Sequence, residues 1–556
     1  MNRNGKIVIL MVVVFLVLGV TSLLRKSPTC DEVGHHIASG YVFLTKADFA
    51  FSTEAPPLAR YLMSVPMLFM NIDLPADRSF WAREDRAEFS REFLYGNNRE
   101  LAGKIFFFAR LPMLLIGCLG GCFLFFWVRR RYDENIAVLA TFFYFLSPNI
   151  LAHARLATTD IVATVFIMCS VLSFWDFYVH SDRKHVLVAG SLLGLALLSK
   201  FSALVLLPVY FIMVIFSVAK IAYSGHGGKA IKFLLNFFAC LFVAVIVLWG
   251  GYAFEFRPLL VGVMRVEWKE AFFVDVLTKI LTSGGREIIG NYVKLLYQQP
   301  IPLSSYVMGI AGIVRHGIGG SRVYFMGVWS LKGHPLYYLT AFLIKTPVPV
   351  IAGFVTGIFV LVRSKRKLAL TLYLLGIILL YFIAASRSDL QLGLRYVLPV
   401  YPLIFIVAAI GINSFLQSKY FRRVLAILLL AWMVGVNFYI WPDYLSYFNE
   451  LVGGPKNGYK YLRDSNVDWG QDLPALKSFM VANDIDSVKL SYFGEADPSC
   501  YGIGYQEISK EEQEIPDKAV YAISVNHLDN YQWVVGLEPD AYAGYSIYIY
   551  DFREKR

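Results

Sequence analysis

Two carboxylates stand side by side at Asp31-Glu32, just past the first apolar run of the chain. A third, Glu54, precedes a double proline in Glu54-Ala55-Pro56-Pro57-Leu58, and a fourth, Asp160, opens the apolar stretch that follows Ala157-Thr158-Thr159. An ionised carboxylate held at a reaction centre can take the proton from an attacking hydroxyl. Each acid also has a structural reading. Thr29 with Glu32 forms a capping box, acids suit helix N-termini, and Asp160 is placed to cap its own helix. The double proline is a rigid helix start and by itself says nothing about function.

The complementary charges are Lys200, Lys345, Arg387 and Arg395, the last followed by Tyr396, all at or near the outer ends of apolar runs. Cations at membrane depth snorkel, pair or serve a site. Four together on the face that positive-inside bias depletes of basic residues suit a lipid phosphate, which Arg holds with parallel bonds and Lys with a point charge. Other chemistry lacks its pattern: there is no P-loop, GxGxxG with a following acid, GxSxG or HExxH. His35, His36, His153, His316 and His334 lack ligand spacing and read as ordinary polar contacts. Cys118, Cys122, Cys169 and Cys240 read as small buried thiols; Cys30 and Cys500 fall outside the membrane and form a candidate pair, though spacing does not establish a bridge. The string Asp468-Trp469-Gly470-Gln471-Asp472 suggests no mechanism from its residues.

The elements that must position these groups are membrane helices. The 556 residues are 57% hydrophobic and 17% charged, too apolar for a soluble globule. A mean hydropathy of +0.54 agrees. The net charge of +11 does not signal nucleic acid. Much of it sits in short clusters such as Arg129-Arg130-Arg131 and Lys365-Arg366-Lys367 between apolar runs, marking cytoplasmic loops. About eleven spans are predicted, at about 7–24, 104–128, 136–150, 160–180, 186–199, 202–220, 233–254, 338–362, 368–385, 397–416 and 424–441. The first, lacking a small-x-small cleavage site, reads as an uncleaved span.

The stretch 186–219 has basic flanks at both ends, so it reads as a hairpin turning at Ser199-Lys200, with Lys200 inside the protein. Residues 1–441 thus form a membrane module with outer loops 25–103 and 255–337. In the first loop, Val33, Ile37, Tyr41 and Leu44 make a helical stripe suited to the membrane surface. Residues 442–556 form an extracytoplasmic α/β domain with strands at Val488–Phe493, Ala519–Val525 and Tyr545–Tyr550 and a helix from Pro474 to Ala482. The absence of any Asn-x-Ser/Thr sequon tilts the reading toward a bacterial inner membrane, with the N-terminus inside and the C-terminus outside.

The chain resembles the GT-C membrane glycosyltransferases that use polyprenyl-phosphate sugars, a group that includes protein O-mannosyltransferases and the aminoarabinose transferase of lipid A. The resemblance is carried by Asp31-Glu32, Glu54-Ala55-Pro56-Pro57-Leu58, Asp160, Leu198-Ser199-Lys200-Phe201, Lys345-Thr346-Pro347 and Arg395-Tyr396-Val397-Leu398-Pro399. Their order and sidedness match through about residue 440. The resemblance implies Asp31 as catalytic base and Asp160 as a second site acid. Glu32, Glu54, Lys200, Lys345, Arg387, Arg395 and Tyr396 are then substrate-binding. Members often carry His before the double proline, where this chain has Ala55. Glu54 matches a metal-binding position of the aminoarabinose transferase; no His partner stands out, so no metal or other cofactor is expected, with a divalent metal left open. The C-terminal string Asp468–Leu473 resembles that of many bacterial members and names no substrate.

A physical argument points the same way. Outside the cytoplasm there is no nucleotide-sugar pool, so a transferase there needs a donor delivered through the membrane. The expected reaction is inverting transfer of a sugar from a polyprenyl-phosphate donor to a hydroxyl on a glycolipid, glycan or protein, with membrane lipid around the site and no nucleic acid. The alternatives are a transporter or flippase of a lipid-linked saccharide, disfavoured by the lack of an internal repeat, and an assembly protein whose outer domain binds a partner.

Overall fold

The computed structural model describes residues 3–75, 86–259, 299–364, 367–509 and 518–553. Much of the predicted loop 255–337, and part of 25–103, lies outside the described residues. Eight described helices are long and apolar enough to cross a membrane: Asn4–Leu23, Arg99–Arg131, Asp160–His180, Phe201–Tyr223, Gly227–Gly251, Leu368–Ser386, Leu398–Leu416 and Tyr420–Ile440. Two bent pairs bring the total to ten, Glu134–Phe145 with Pro148–Ala154 at 58° and Tyr337–Lys345 with Val348–Arg363 at 114°. Each bend falls where proline removes a backbone donor and disfavours helix in the preceding residue, at Ser147-Pro148 and Thr346-Pro347. The eleventh predicted span, 186–199, is the 17-residue helix Arg183–Ser199. It stops because Lys200 is extended, at φ −161° and ψ 141°, and the chain turns through Phe201–Val205 into Leu206–Tyr223. The predicted break at Ser199-Lys200 is therefore present.

Small residues let the helices approach closely. Gly190 and Gly194 put one face of Arg183–Ser199 against Gly227–Gly251; a Cβ at either would lie 2.6 or 2.7 Å from the carbonyls of Cys240 and Ala244. Gly353, Gly357 and Gly411 serve the same purpose between Val348–Ser364 and Tyr401–Leu416.

The first loop folds over the ends of these helices. A π-helical turn at Glu32–His36 continues into Ile37–Lys46, which packs on Leu58–Ser64. Val33 and Ile37 are fully buried, and Tyr41 and Leu44 half-buried. The predicted membrane-facing stripe instead contributes to the protein core, because the loop supplies its own second helix as a cover.

After Trp441 the chain runs through short turns at Tyr444–Ser446, Pro455–Lys460 and Asp464–Asn466. It then enters a five-stranded sheet ordered Gly504–Glu507, Ser487–Ser491, Val520–Ser524, Ile547–Asp551, Ala541–Ala543. The first two pairings are parallel and the last two antiparallel. The three predicted strands are its centre; the exposed edge strand Gly504–Glu507 and the short Ala541–Ala543 lacked a hydrophobic alternation to announce them. Helix Leu473–Ala482 buries Leu473, Leu476 and Met480 with Val488, Leu490, Val520, Ala522, Ile547 and Ile549. The alternate residues Tyr521, Ile523, Tyr548 and Tyr550 join the large core shared with the membrane helices. Period-two alternation thus gives both faces of the sheet a hydrophobic partner. All six cysteines are free, so the candidate Cys30–Cys500 pair is not a disulfide.

Candidate active site

Asp31 is placed by what precedes it. Ser27 and Cys30 donate their N–H groups to the carbonyls of Gln471 and Trp469, at 3.0 and 2.9 Å, so this approach to the site is bonded along the C-terminal segment. The capping work expected here belongs to Glu32, whose Oε2 accepts from Thr29 N at 2.8 Å and Thr29 Oγ1 at 3.1 Å. Asp31 makes no side-chain cap bond. Its Oδ2 instead accepts from Arg395 Nη1 at 2.7 Å. Burial would raise the Asp31 carboxyl, but Arg395 outweighs burial and holds the group below its usual value.

Arg395 lies in the turn Leu394–Tyr396. Its Nε donates to the Leu392 carbonyl at 3.0 Å, and its guanidinium lies 4.2 Å from the centroid of the Trp469 ring. Lys200, at the extended break, donates from Nζ to Asp160 Oδ1 at 2.6 Å and stands 4.7 Å from the Tyr396 ring centroid. Asp160 is sealed in behind it. Its Oδ2 accepts from Thr158 Oγ1 at 3.2 Å and lies 3.5 Å from His153 Nδ1. Asp160 is the first residue of its helix and Thr159 the preceding cap, without a side-chain cap bond; the carboxylate is used as a counter-ion instead.

Asp31, Lys200 and Arg395 meet at a cavity of about 890 Å³. Asp31, Glu54, Lys200, Arg395 and Tyr396 line its polar part, while Leu204, Val205, Ile310, Ile313, Ala384 and Ala385 supply an apolar wall. An anionic head with an apolar tail fits such a division.

Four predicted site residues do not line the cavity: Asp160, sealed behind Lys200, and Glu32, Lys345 and Arg387. Glu32 is fully buried and is gripped by Arg110 through Nε–Oε1 at 2.7 Å and Nη2–Oε2 at 2.8 Å, with the Ala157 N–H donating at 2.8 Å. Burial works against its charge, yet Arg110 and these donors keep the carboxyl below its usual value. It joins the first loop to helix Ala102–Arg131 and to the bend before Asp160–His180, and does not line the cavity. Lys345, also buried, donates to the carbonyls of Leu445 and Asn466 at 3.0 and 2.5 Å. Arg387 is exposed at the end of Leu368–Ser386, outside the cavity lining.

The cavity also recruits residues read as ordinary or not considered. His35 and His36 line it, as do Arg86, Arg315 and His316. Burial drives His36 down to about 3, so its ring is neutral. Arg315 and His316 lie on the helix Ser304–Gly319, within a stretch assigned to loop; the spacing of Tyr306, Ile310 and Ile313 is the helical signal that marks it. His334 behaves as expected, stacking on Phe325 with ring centroids 4.4 Å apart. Glu54 does have a histidine neighbour, His35 Nδ1 at 3.4 Å, but Arg86 Nη1 occupies its other oxygen at 2.7 Å. Among the described residues no group of three or more His, Cys, Asp or Glu side chains has metal-holding geometry.

Residues 95–249 match the family model described as dolichyl-phosphate-mannose-protein mannosyltransferase. The matched segment contains Asp160 and Lys200, and the match agrees there with the glycosyltransferase resemblance drawn from the sequence. No curated protein matches the chain by sequence. Among solved structures, ArnT from Cupriavidus metallidurans in the apo state is similar, with 14% identity, TM-score 0.49, and 99% of this chain and 98% of that one covered. The same protein bound to undecaprenyl phosphate gives 13% identity, TM-score 0.46 and the same coverage. The Archaeoglobus fulgidus oligosaccharyltransferase in the apo form gives 13% identity and TM-score 0.43, covering 82% of this chain and 57% of that one.

Proposed function

We propose that this protein is a glycosyltransferase that moves a sugar from a polyprenyl-phosphate donor onto an acceptor hydroxyl. The observation that carries the proposal is the convergence of Asp31, Arg395 and Lys200 on one cavity with an apolar wall. The family match over residues 95–249 supports the same class of donor. The prenyl chain lies along the apolar wall and the phosphate faces Arg395 and Lys200. The acceptor hydroxyl gives its proton to Asp31 as its oxygen bonds to the anomeric carbon. The bond from that carbon to the phosphate oxygen breaks with its electron pair, and the anomeric centre inverts. Arg395 and Lys200 stabilise the charge that grows on the departing phosphate.

The ion pair between Asp31 and Arg395 adds a consequence. A carboxylate held low is ionised at neutral pH but is a weak base. Donor phosphate competes with Asp31 for the Arg395 guanidinium, and each hydrogen bond it draws away raises the basicity of Asp31. The base is strengthened in the complex that needs it. The site is assigned to the outer face of a bacterial inner membrane, with N-terminus inside and C-terminus outside, on the basic clusters between spans and the lack of sequons.

The test is release of free polyprenyl phosphate by purified protein given a sugar-loaded polyprenyl phosphate and an acceptor extract from a deletion strain. Release coupled to a new glycoconjugate is the expected result. Movement of intact donor across vesicles without release would replace this reading with a flippase.

A further inference from the structure

The pair formed by Asp31 and Arg395 is held by a third residue, and that residue comes from the C-terminal part of the chain. Trp469 is almost fully buried, at 2% exposure. Its indole lies 4.2 Å from the Arg395 guanidinium carbon, and its carbonyl accepts the N–H of Cys30, immediately before Asp31, at 2.9 Å. One residue therefore touches the supports of both partners through different atoms. Trp469 is itself fixed: its N–H donates to Gln471 Oε1 at 2.7 Å, and its ring meets His153, the neighbour of Asp160, edge-on at 6.3 Å. The turn behind it demands glycine. Gly470 has φ +88°, and a Cβ there would lie 2.9 Å from Gly494 Cα. Gly470 N–H donates to Asp468 Oδ1 at 2.9 Å, and Ser27 Oγ to the Gly470 carbonyl at 2.9 Å.

We infer that Trp469 is a positioning residue for sugar transfer, stacking on Arg395 so that its guanidinium edge stays within reach of both Asp31 and the donor phosphate. This rests on the function proposed above. A ring face attracts a cation and confines a planar guanidinium parallel to itself, leaving the N–H groups to point sideways. Nε is already taken by the Leu392 carbonyl, so the remaining donors are shared between carboxylate and phosphate. Without the ring, Arg395 keeps its charge but loses the surface that fixes its plane. The string Asp468-Trp469-Gly470-Gln471-Asp472, which suggested no mechanism as sequence, becomes the tie between the C-terminal domain and the reacting centre.

The experiment measures binding of undecaprenyl phosphate to purified protein in detergent, alongside thermal melting, for wild type, Trp469→Met, Trp469→Phe and Trp533→Leu. Trp533 packs against Tyr521, Tyr550 and Phe552 in the sheet domain and controls for loss of a large aromatic there. The methionine keeps bulk without the ring, and its binding should weaken about tenfold or more, while phenylalanine stays within about threefold of wild type. The acid limb of kcat/KM should also move upward in Trp469→Met, because a loosened Arg395 holds Asp31 less strongly. A mere packing role moves the melting temperature and leaves that limb in place.

If Trp469→Met does not fold, Trp469→Leu substitutes for it, with the same weakening of about tenfold or more expected from loss of the ring. Unchanged binding and acid limb in a folded Met or Leu variant, or an equal loss in Trp533→Leu, overturns the inference. Failure of the wild type to bind undecaprenyl phosphate instead overturns the donor assignment.

Discussion

The Lys200 ammonium sits 2.6 Å from Asp160 Oδ1, and only 1% of the aspartate side chain is exposed. Because the lysine also faces the cavity, one side chain has both a structural and a functional partner. Lys200→Met removes the counter-ion of a buried carboxylate, which costs about 3–5 kcal/mol. Adding Asp160→Asn should restore most of that stability. Donor affinity or turnover in the double variant should remain down by about tenfold or more, since the lost charge-assisted bond is worth about 1.5–3 kcal/mol. Melting curves and donor binding separate the two effects. Wild-type binding by the double variant would leave Lys200 only its structural role.

Asp31 and Glu32 should part company under the same conservative change. Asp31 makes no cap bond, so Asp31→Asn should fold with only the loss of its partly exposed Arg395 pair. It should bind donor at least as tightly as wild type, because phosphate no longer competes for Arg395, while sugar transfer falls by about 100- to 10,000-fold. Near-normal turnover would sink the proposed base and move suspicion to Asp160.

Glu32→Gln should show the opposite profile. The Arg110 guanidinium would be left buried beside a neutral amide, a loss of about 3–5 kcal/mol by comparison with other broken buried pairs. Yield and melting temperature should drop, whereas turnover per folded molecule should fall far less than in Asp31→Asn. A full-stability Glu32→Gln enzyme that is inactive would place Glu32 in the chemistry after all.

Asp464 offers a pH test of the segment beneath Arg395. Its carboxyl is pushed up to about 6, chiefly by burial, against the pull of Arg395 and the Ser465 N–H. An acid whose folded value lies above its unfolded one binds its proton more tightly when folded. It therefore weakens the fold above about pH 6, an effect that disappears as pH falls below about 4. Asp464 also sits at φ +57°, a conformation asparagine tolerates. Asp464→Asn should raise the melting temperature at pH 7.5 and change it little at pH 4. A lower melting temperature at pH 7.5 would contradict this account.

The membrane helices, the break at Lys200 and the central strands were readable because each leaves a local pattern: apolar length, basic flanks, or alternation. Asp31, Lys200 and Arg395 were readable as charged groups in places where charge is unfavourable. The partners were not. Asp31 and Arg395 are 364 residues apart in the chain, and Glu32 and Arg110 are separated by 78. Nothing local distinguishes a carboxylate that lines the cavity from its neighbour buried against Arg110. Lys345 misled for the same reason, since a lysine satisfied by two distant carbonyls looks in sequence like one waiting for a phosphate. Trp469 was visible only as an unusual string, because its role depends on what stacks against it.

The contacts of Lys345 also bear on how such a protein can be cut and rejoined. Its ammonium, at the 114° bend between Tyr337–Lys345 and Val348–Arg363, is satisfied by carbonyls of Leu445 and Asn466. Asn449 Nδ2 reaches back to the carbonyls of Leu343 and Thr346 at 2.6 and 2.8 Å, and Lys26 is paired with both Asp443 and Asp472. A chimera joined after the last membrane helix would strand a buried lysine, whereas one joined after Asp472 would keep every one of these bonds within the host. The seam for exchanging sheet domains between related chains thus falls after Asp472 and not at the end of the last membrane helix.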